Sequence, residues 1–473
     1  MQNMWRGQKL NSINPKKISK KTAWIVLILI ALIVGVPSSL YGLPMEPLFF
    51  LSWLIIIPIC LKLGYKFKDI EMSAVIYCEK AMSPIFVMFA VGAMMGVWIA
   101  AGTVPTIIFY GLKIISPKYF LVLSFLICSV VSFITGTSWG TIGTAGLAMS
   151  SIGFSLGISP GLVVGAVVSG SLFGDATSIM SASNNLVASV SETELMDHVK
   201  YTLKTILPMY IITLIIYLVL GFKYGSAELD NVFTNNLMNL IADKFNISFI
   251  ALIPLIALLI LLALKKPALI SIMIGVVIGG LVAVIYQGYS FVDIINISWE
   301  GFVSNSGEVF LDTLLNRGGI ISMFRLVSIF IFTFGLIGML NKAEVIETAL
   351  EPLFRVVNSK AKLICMTVVI GIISDIVAGS MNVSIVMTAT ALLPLYKKLN
   401  VPLLKLSSIV SLVCILGSAL VPWNTNGVFI TSVIEVDTWT YLPYSYLNIL
   451  APILIVLFAL FKVKRKKSRE KVN

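Results

Sequence analysis

The stretch Thr135-Gly136-Thr137-Ser138-Trp139-Gly140-Thr141 is polar and rich in glycine, although apolar runs enclose it on both sides. A second stretch of this kind follows at Ser169-Gly170-Ser171-Leu172-Phe173-Gly174-Asp175-Ala176-Thr177-Ser178. Backbone that breaks at membrane depth needs partners for its freed amides and carbonyls, so it is tolerated only inside protein or beside a wet cavity. We therefore expect a broken helix here and, with it, a site for an ion or a small solute.

The composition of the 473-residue chain is that of a membrane protein. Hydrophobic residues make up 58% of the chain and charged residues only 12%, against roughly 25% charged residues in soluble domains. About twelve apolar segments reach the length of about 20 residues that a bilayer span requires. The sequence thus predicts an all-α polytopic membrane protein with about ten full transmembrane helices and two broken or re-entrant hairpin elements.

Several other functional classes find little support in the sequence. The net charge of +12 comes from basic residues at the ends of apolar spans, which is the positive-inside signal and not a nucleic-acid surface. A Ser-His-Asp hydrolase would have one base, because His198 is the only histidine and lies at a predicted span end. The chain carries no GxxxxGKS/T motif for nucleotide. Without such a motif, an ion gradient is the expected driving force. A simple passive channel would not explain the two paired breaks.

Apolar runs and their flanking charges divide the chain into six parts. Lysines before the first span and after the last place both termini in the cytoplasm. The parts are a cytoplasmic tail at 1–21, two transmembrane helices at 22–80, a first transporter repeat at 81–200, connecting helices and a loop at 201–320, a second repeat at 321–461, and a cytoplasmic tail at 462–473.

Hydropathy also places individual elements within these parts. The third span is expected at about 82–101, ended by Pro105, and a later span at about 205–222, followed by an outside loop at 223–247. Two segments, 119–157 and 363–396, must return to the side they left, as hairpins do. A further break is expected at Leu315-Asn316-Arg317-Gly318-Gly319.

The two halves of the chain contain matching motifs. Gly92–Gly96 corresponds to Gly335–Gly338, and Thr135-Gly136-Thr137 corresponds to Ala378-Gly379-Ser380, both at an offset of about 243 residues. The charge pattern brings the two halves into the membrane from opposite sides. Such an inverted repeat is the construction of many secondary transporters, whose substrates bind near the midplane between broken helices.

Asp175 and Asp375 are the carboxylates that we place well inside a span. A charged side chain at the bilayer centre costs about 2.5–3.5 kcal/mol on insertion scales, so it normally faces a cavity or a partner. A proton or a Na+ ion can each neutralise such a carboxylate, and the two would compete for it. We predict Na+ binding at both acids, with an acid satisfied by nearby hydroxyls or by a base as the alternative.

Hydroxyl and amide oxygens beside the two breaks are the ligands that hard cations prefer, although a single hydroxyl more often bonds its own helix. Arg325, inside the predicted ninth span, would pair with an aspartate, hold a substrate carboxylate or extend to the interface. The other predicted site residues are Thr137, Ser138, Thr141, Ser178, Asn184 and Asn185 in the first half, and Ser380, Asn382, Asn424 and Thr425 in the second.

The chain resembles the NhaC family of Na+/H+ antiporters through six stretches in the same order. These are Gly92–Trp98, Gly102–Thr106, Gly136–Thr141, Phe173-Gly174-Asp175, Leu315–Gly319 and Val421–Thr425. The resemblance implies an alternating-access transporter of the bacterial plasma membrane, with Na+ and H+ as coupling ions, the lipid bilayer as its surroundings, and no other cofactor. It leaves the oligomeric state open, a homodimer included.

Several positions depart from the family pattern. Where the family typically reads GDKxSPLSDTTN, this chain keeps Asp175 but has Ala176 and Ala182 in place of a base and an acid. Ser380 likewise replaces the acid of AGDQ, and Arg325 replaces an aromatic residue. Fewer acids and an added arginine suit a carboxylate-bearing solute. Na+/H+ antiport is therefore the main prediction, and exchange of an organic acid or amino acid coupled to Na+ or H+ is the alternative.

Overall fold

The computed structural model describes residues 16–41, 43–114, 116–224, 231–264, 266–305, 307–308, 311–312, 315–346, 348–349, 351 and 358–470. Over these residues the chain is helical and contains no β-strand. Residues 1–15 of the predicted N-terminal tail, 225–230 of the predicted loop and 471–473 of the C-terminal tail lie outside this part. The predicted all-α class is confirmed.

The chain forms two compact units, one of Met1–Met82 with Ser328–Val356 and one of Ser83–Val327 with Val357–Asn473. Two π-helical turns, Ile142–Gly146 and Ser411–Ile415, interrupt the α-helices. The α-helices are α1 Lys20–Tyr41, α2 Met45–Lys62, α3 Phe67–Ala100, α4 Thr103–Ile114, α5 Pro117–Thr135, α6 Ser138–Thr141, α7 Leu147–Ser155, α8 Pro160–Thr177, α9 Ala182–Val190, α10 Leu195–Tyr224, α11 Asn231–Lys244, α12 Ile253–Ala263, α13 Ala268–Ile285, α14 Phe291–Glu300, α15 Phe324–Lys342, α16 Lys360–Ala378, α17 Met381–Lys398, α18 Leu403–Val410, α19 Leu416–Ser418, α20 Thr425–Ile434, α21 Thr438–Tyr441 and α22 Tyr446–Glu470.

Seven helices in the described ranges are long and apolar enough to cross a membrane, and up to ten spans result if each of three bent helix pairs counts as one. The first arms of the two hairpins, α5 and α16, are among the seven. In each hairpin the second arm packs back against the first. The chain is therefore a multi-pass membrane protein with two hairpins broken at glycine, as predicted.

The smaller unit is held together by close packing at small residues. The Trp53 indole nitrogen donates a hydrogen bond to the Phe332 carbonyl at 2.9 Å, and a Cβ on Gly335 would collide with the same indole. A Cβ on Gly338 would collide with the Ser73 carbonyl oxygen. The two glycines of α15 therefore allow α2 and the first part of α3 to lie directly against it.

Two helices extend beyond the predicted spans, and one predicted loop is helical. The span predicted at about 82–101 is present as Ile85–Ala100, but its helix α3 already begins at Phe67. Helix α10 begins at Leu195 and not near 205, because hydropathy detects only the apolar part of a helix whose ends are polar. Residues 231–244 form α11 where a loop was expected. The break after α3 lies at Gly102, whose φ is +74°, while Pro105 sits in the first turn of α4, where its missing N–H is tolerated.

Two glycines of α3 make close contacts: Gly96 packs against Ile297 of α14, and Gly92 packs against Gly319 of a non-helical segment. The Gly319 amide donates to the Gly92 carbonyl at 2.7 Å, and a Cβ on Gly92 would lie 2.7 Å from the Gly319 carbonyl oxygen. Gly318 and Gly319 both have a φ of +83°. The break predicted at 315–319 is thus present, and it lies against α3.

The broken hairpins and the elements after them recur with constant spacing. Within each half, a helix ends at a glycine, a second arm returns, a third helix follows and a short helix closes the set. Corresponding elements begin 243 residues apart, at Pro117 and Lys360, Ser138 and Met381, Pro160 and Leu403, and Ala182 and Thr425. This supports the internal repeat, while its inverted orientation and the six-part division of the chain remain predictions.

Helices α5 and α8 approach each other closely through two glycines of α8. A Cβ on Gly170 would meet the Phe125 carbonyl oxygen, and a Cβ on Gly174 would meet the Phe133 amide and the Ser132 carbonyl carbon. Backbone atoms cannot move aside as a flexible side chain can. This contact fixes the residue after Gly174, which is Asp175, against the end of α5.

We expect Gly174→Ala to destabilise the protein by about 1–3 kcal/mol or more, because an added methyl group here overpacks a backbone contact. The measurement is thermal unfolding of purified protein, followed by tryptophan fluorescence. Gly143→Ala is the matched control, since a Cβ on Gly143 would meet nothing within 4 Å. Equal unfolding temperatures for the two variants would contradict this close α5–α8 packing.

Candidate functional site

The first break is formed by two consecutive residues, Gly136 and Thr137, with different backbone conformations. Gly136 ends α5 with a φ of +69°, in the left-handed region, and Thr137 is extended and caps α6 by accepting the Gly140 amide at 3.3 Å. A Cβ on Gly136 would lie 2.5 Å from the Met180 Cβ and 2.8 Å from the Ser181 nitrogen. The break therefore lies directly against the turn that follows α8.

Asp175 lies near the end of α8, at this contact, and is 4% exposed. Its Oδ2 accepts a hydrogen bond from the Ser138 hydroxyl at 2.7 Å, and its Oδ1 accepts one from the Ser181 hydroxyl at 2.6 Å. Ser138 is the first residue of α6, and Ser181 caps α9. Two hydroxyls, each at the start of a helix, thus donate to one buried carboxylate.

This cluster has the chemistry of a site for a hard cation. A hydroxyl that donates its proton to a carboxylate keeps lone pairs of its own, so Ser138, Ser181 and Asp175 together present oxygen ligands of the kind that alkali and alkaline-earth ions prefer. Among the described residues, no group of three or more His, Cys, Asp or Glu side chains could hold a metal ion. The cluster therefore combines one buried carboxylate with two hydroxyl oxygens.

Asn184 connects this cluster to a buried histidine. The Asn184 amide nitrogen Nδ2 donates to the Ser178 carbonyl at 2.9 Å, so its Oδ1 faces His198 Nε2 at 3.2 Å. His198 Nδ1 lies 2.9 Å from the Ser407 hydroxyl. The carbonyl oxygen of an amide only accepts, so His198 Nε2 carries a proton in this arrangement.

His198 lies near the start of the span Leu195–Lys223, as the sequence predicted. The side chain is fully buried, and the Ser411 hydroxyl of the second π-helical turn also donates to Asn184 Oδ1 at 3.2 Å. His198 therefore belongs to a polar network that joins the end of α8 to α18. Sequence alone did not identify it because its partners Asn184 and Ser407 are 14 and 209 residues away along the chain.

The remaining first-half residues of the predicted site hydrogen-bond the backbone. Thr141 donates to the Thr137 carbonyl at 2.9 Å, Ser178 to the Phe133 carbonyl at 2.7 Å, and Asn185 to the Ser181 carbonyl at 2.8 Å. These bonds satisfy carbonyls around the first break and the following turn. These three side chains therefore stabilise the backbone around the site, whereas Ser138 and Ser181 contact Asp175 itself.

The second break repeats the conformation of the first. Gly379 has a φ of +57°, and Ser380 is extended in nearly the same way as Thr137. The Thr425 amide donates to the Gly379 carbonyl at 2.9 Å. The Asn424 side chain donates to the Asp375 carbonyl at 3.1 Å, while the Asn382 side chain is exposed.

The two predicted acids occupy different positions in the repeat. At the spacing of 243 residues, Asp175 corresponds to Ser418, and Asp375 corresponds to Ser132. Asp375 is 1% exposed, and neither of its carboxylate oxygens has a hydrogen-bond partner among the described residues. Its surroundings therefore differ in kind from the hydroxyl-rich surroundings of Asp175.

One direct contact joins the elements of the two breaks. The Trp139 indole nitrogen donates to the Asn426 side-chain oxygen at 2.6 Å, and its ring stacks on Phe429 at a centroid distance of 4.2 Å. Asn426 in turn donates to the Ser418 hydroxyl at 2.7 Å. The first break is therefore in direct contact with α20 through a hydrogen bond and a packed aromatic pair.

Arg325 lies within the candidate span Ile321–Lys342, as predicted, and its side chain is exposed. Arg317 lies in the segment before that span. The Arg317 side chain is 17% exposed, and its Nε lies 3.2 Å from Glu435 Oε2. The sequence showed Arg317 only as part of the 315–319 motif, because its position relative to Glu435 depends on the fold.

A multi-pass helical protein with paired glycine breaks and a buried carboxylate at one of them has the construction of a secondary transporter. The sequence pattern of the Na+/H+ antiporter family matches residues 17–178 and 170–463 of this chain. The chain belongs to the Na+/H+ antiporter family.

Individual relatives span most of the chain. The malate-2H(+)/Na(+)-lactate antiporter of Bacillus subtilis is 34% identical, covering 94% of this chain and 95% of the relative. The Na(+)/H(+) antiporter NhaC of Alkalihalophilus pseudofirmus is 31% identical, covering 96% and 99%. The arginine/ornithine antiporter ArcD of Halobacterium salinarum is 28% identical, covering 80% and 78%. The predicted likeness to NhaC is confirmed.

Proposed function

We propose that this protein is a secondary active transporter that exchanges Na+ for H+, and that Asp175 takes the two ions in turn. The observation that carries the proposal is the buried Asp175 carboxylate with the Ser138 and Ser181 hydroxyls at 2.7 and 2.6 Å. An ionised carboxylate at this depth requires a neutralising partner. A proton and a Na+ ion satisfy the same requirement, so binding of one disfavours the other.

Alternating access would then couple the two ions. A ligand shifts a conformational equilibrium only by its different affinity for the two states. The contact between Gly136 and the 180–181 turn holds the oxygen ligands together, and separation of these elements would release the ion. The Trp139–Asn426 contact links that movement to the second half of the chain. Neither a cofactor beyond the two coupling ions nor an enzymatic reaction is part of the proposal.

We place the protein in the bacterial plasma membrane with both termini in the cytoplasm. The support is the cluster of basic residues before α1 and after the apolar part of α22, since positive charge marks the cytoplasmic ends of spans. Cysteine labelling from either side of sealed cells tests this orientation. A homodimer is compatible with the proposal, which requires only the residues of one chain.

A second candidate is ion-coupled exchange of an organic acid. Arg317 favours it, because its guanidinium is largely buried and contacts Glu435 and the Ile434 carbonyl. A substrate carboxylate has the geometry to replace Glu435 at such a group. The relation to the malate/lactate antiporter at 34% identity supports the same candidate.

Proton movement into liposomes that contain the purified protein and a pH-sensitive dye distinguishes Na+/H+ exchange from exchange of an organic acid. We expect an imposed Na+ gradient to move protons in the absence of organic acid, with Li+ and K+ added separately to define selectivity. Proton movement that requires malate or lactate would favour the second candidate. If Na+ moves no protons under either condition, Na+/H+ exchange is wrong for this protein.

We expect Ser138→Ala and Ser181→Ala to raise the Na+ concentration for half-maximal exchange by about ten- to 100-fold, the effect of losing one hydrogen bond to a charged group. Ser181→Thr retains a hydroxyl and should restore most of the affinity. Ser155→Ala is the control, since this buried serine bonds the Ser151 carbonyl of its own helix. An unchanged Na+ dependence in both alanine variants would show that these hydroxyls do not bind the ion.

A further inference from the structure

Three buried acceptor oxygens near the second break have no hydrogen-bond partner among the described residues. Two are the carboxylate oxygens of Asp375, and the third is Oδ1 of Asn448. Asp375 is 1% exposed and Asn448 is fully buried. Asn448 Nδ2 donates to the Leu416 carbonyl at 2.7 Å, which fixes the orientation of the amide and leaves Oδ1 as an acceptor. Buried polar atoms without partners are rare and indicate a missing ligand or ion.

Both side chains line one cavity of about 290 Å³. The volume approaches the lower end of the range of small-molecule sites, about 300–1,000 Å³. Apart from Asp375 and Asn448, the wall is largely apolar and includes Leu420, Pro422, Pro452 and the rings of Trp423 and Trp439. The cavity thus combines one carboxylate and one amide oxygen with an apolar, partly aromatic wall.

Gly417 lies directly against the carboxylate. A Cβ at this position would lie 2.8 Å from Asp375 Oδ2, closer than a side-chain carbon and an oxygen normally approach. Glycine therefore lets α19 pack against Asp375, and a larger residue at this position would displace the carboxylate.

We infer that this cavity binds a primary ammonium group carried on a short apolar body. An ammonium has three N–H donors, which matches the three unpartnered acceptors, and its single positive charge balances the Asp375 carboxylate. The alkyl body suits the apolar wall, and indole faces attract cations. A proton on Asp375 would supply one donor for three acceptors. A bare Na+ ion would find fewer oxygens here than in the hydroxyl-rich Asp175 cluster.

This ammonium site is independent of the proposed Na+/H+ exchange. The oxygens of Asp175 already accept two hydroxyl hydrogens, whereas those of Asp375 accept none from the described residues. The ammonium site is formed by α16, the segment 413–423, Trp439 and α22. Asp175→Asn should therefore leave ammonium binding intact, and failure of one proposal does not decide the other.

The test is calorimetric titration of the full chain in nanodiscs with n-butylammonium chloride. We expect saturable binding that weakens at least about tenfold in Asp375→Asn and about threefold or more in Asn448→Leu, the ranges for lost hydrogen bonds to a charged and a neutral group. Gly417→Ala should weaken binding while keeping the charge. Asp175→Asn is the matched buried-acid control and should bind as the wild type does.

Three comparison ligands make the result specific. Tetramethylammonium has the charge without N–H donors, 1-butanol has the apolar body without the charge, and NaCl provides the metal cation. We expect all three to bind more weakly than butylammonium. Equal binding of 1-butanol, competition by Na+ at equal concentration, equal binding by Asp375→Asn, or no saturable binding at all would each overturn the inference.

Discussion

Asp175→Asn should reduce Na+-driven proton movement by about 30-fold or more, the effect of removing one partner from a buried, hydrogen-bonded charge pair. Asparagine retains the size of the side chain and can still accept from a serine hydroxyl, so the loss would come from the missing charge and the missing protonation site. A neutral amide neither takes up a proton in this pH range nor attracts Na+ as a carboxylate does.

The measurement is dye-reported proton flux in liposomes with equal amounts of reconstituted wild-type and variant protein. Asp197→Asn is the control, because this acid lies in the first turn of α10 and is exposed. Unfolding temperatures of the three proteins establish that they are equally folded. Full exchange activity in Asp175→Asn would remove Asp175 from the transport site.

Gly136→Ala should have a comparably large effect without altering any polar side chain. The residue has a φ of +69°, and the left-handed conformation costs a residue with a Cβ about 1–2 kcal/mol. The added carbon would also collide with Met180 and with the backbone nitrogen of Ser181. Displacing Ser181 separates a hydroxyl from Asp175, and a shift of about 1 Å in a positioned group can reduce a rate by about 100-fold.

Gly157→Ala separates the collision from the backbone strain. Gly157 has a φ of +68°, and a Cβ there would meet nothing within 4 Å, so this variant shares the strain but lacks the collision. We expect exchange to fall by about tenfold or more in Gly136→Ala and to change by less than about twofold in Gly157→Ala. Equal activity of the two variants would show that the first break does not position the ion ligands.

The glycine breaks could be predicted from the sequence because their residue types are unusual for their surroundings. Polar and glycine-rich stretches inside apolar runs have few structural solutions in a membrane, and both predicted breaks are present at Gly136 and Gly379. The offset of about 243 residues between matching motifs likewise recurs in the starts of the helices. Ser138, predicted as a site residue, contacts Asp175.

Contacts between distant segments could not be predicted in this way. Trp139 and Asn426 are separated by 287 residues, and His198 and Ser407 by 209, so neither pair leaves a local sequence signal. In the sequence, Asn448 is a single polar residue in an apolar run, and only the fold brings it to the Asp375 cavity. Arg317 lies in a glycine-rich, non-helical segment, and only the fold brings it next to Glu435.

The two halves of the chain share a framework but carry different chemistry. Matching glycines give both hairpins the same turn, while the acid lies on α8 in the first half and on α16 in the second. Asp175 has hydroxyl partners, and Asp375 faces an apolar cavity. This difference favours one exchange site and one site of different specificity over two equivalent ion sites.

Competition of Na+ and H+ for Asp175 is tested most directly by proton release on Na+ binding. NaCl is added to wild-type protein in weakly buffered nanodiscs, with choline chloride as the ionic-strength control and Asp175→Asn alongside. We predict that wild-type protein releases about one proton for each Na+ bound, because one carboxylate holds either ion, and that Asp175→Asn releases none. Na+ binding without proton release in the wild type, or unchanged release in Asp175→Asn, would contradict the proposal.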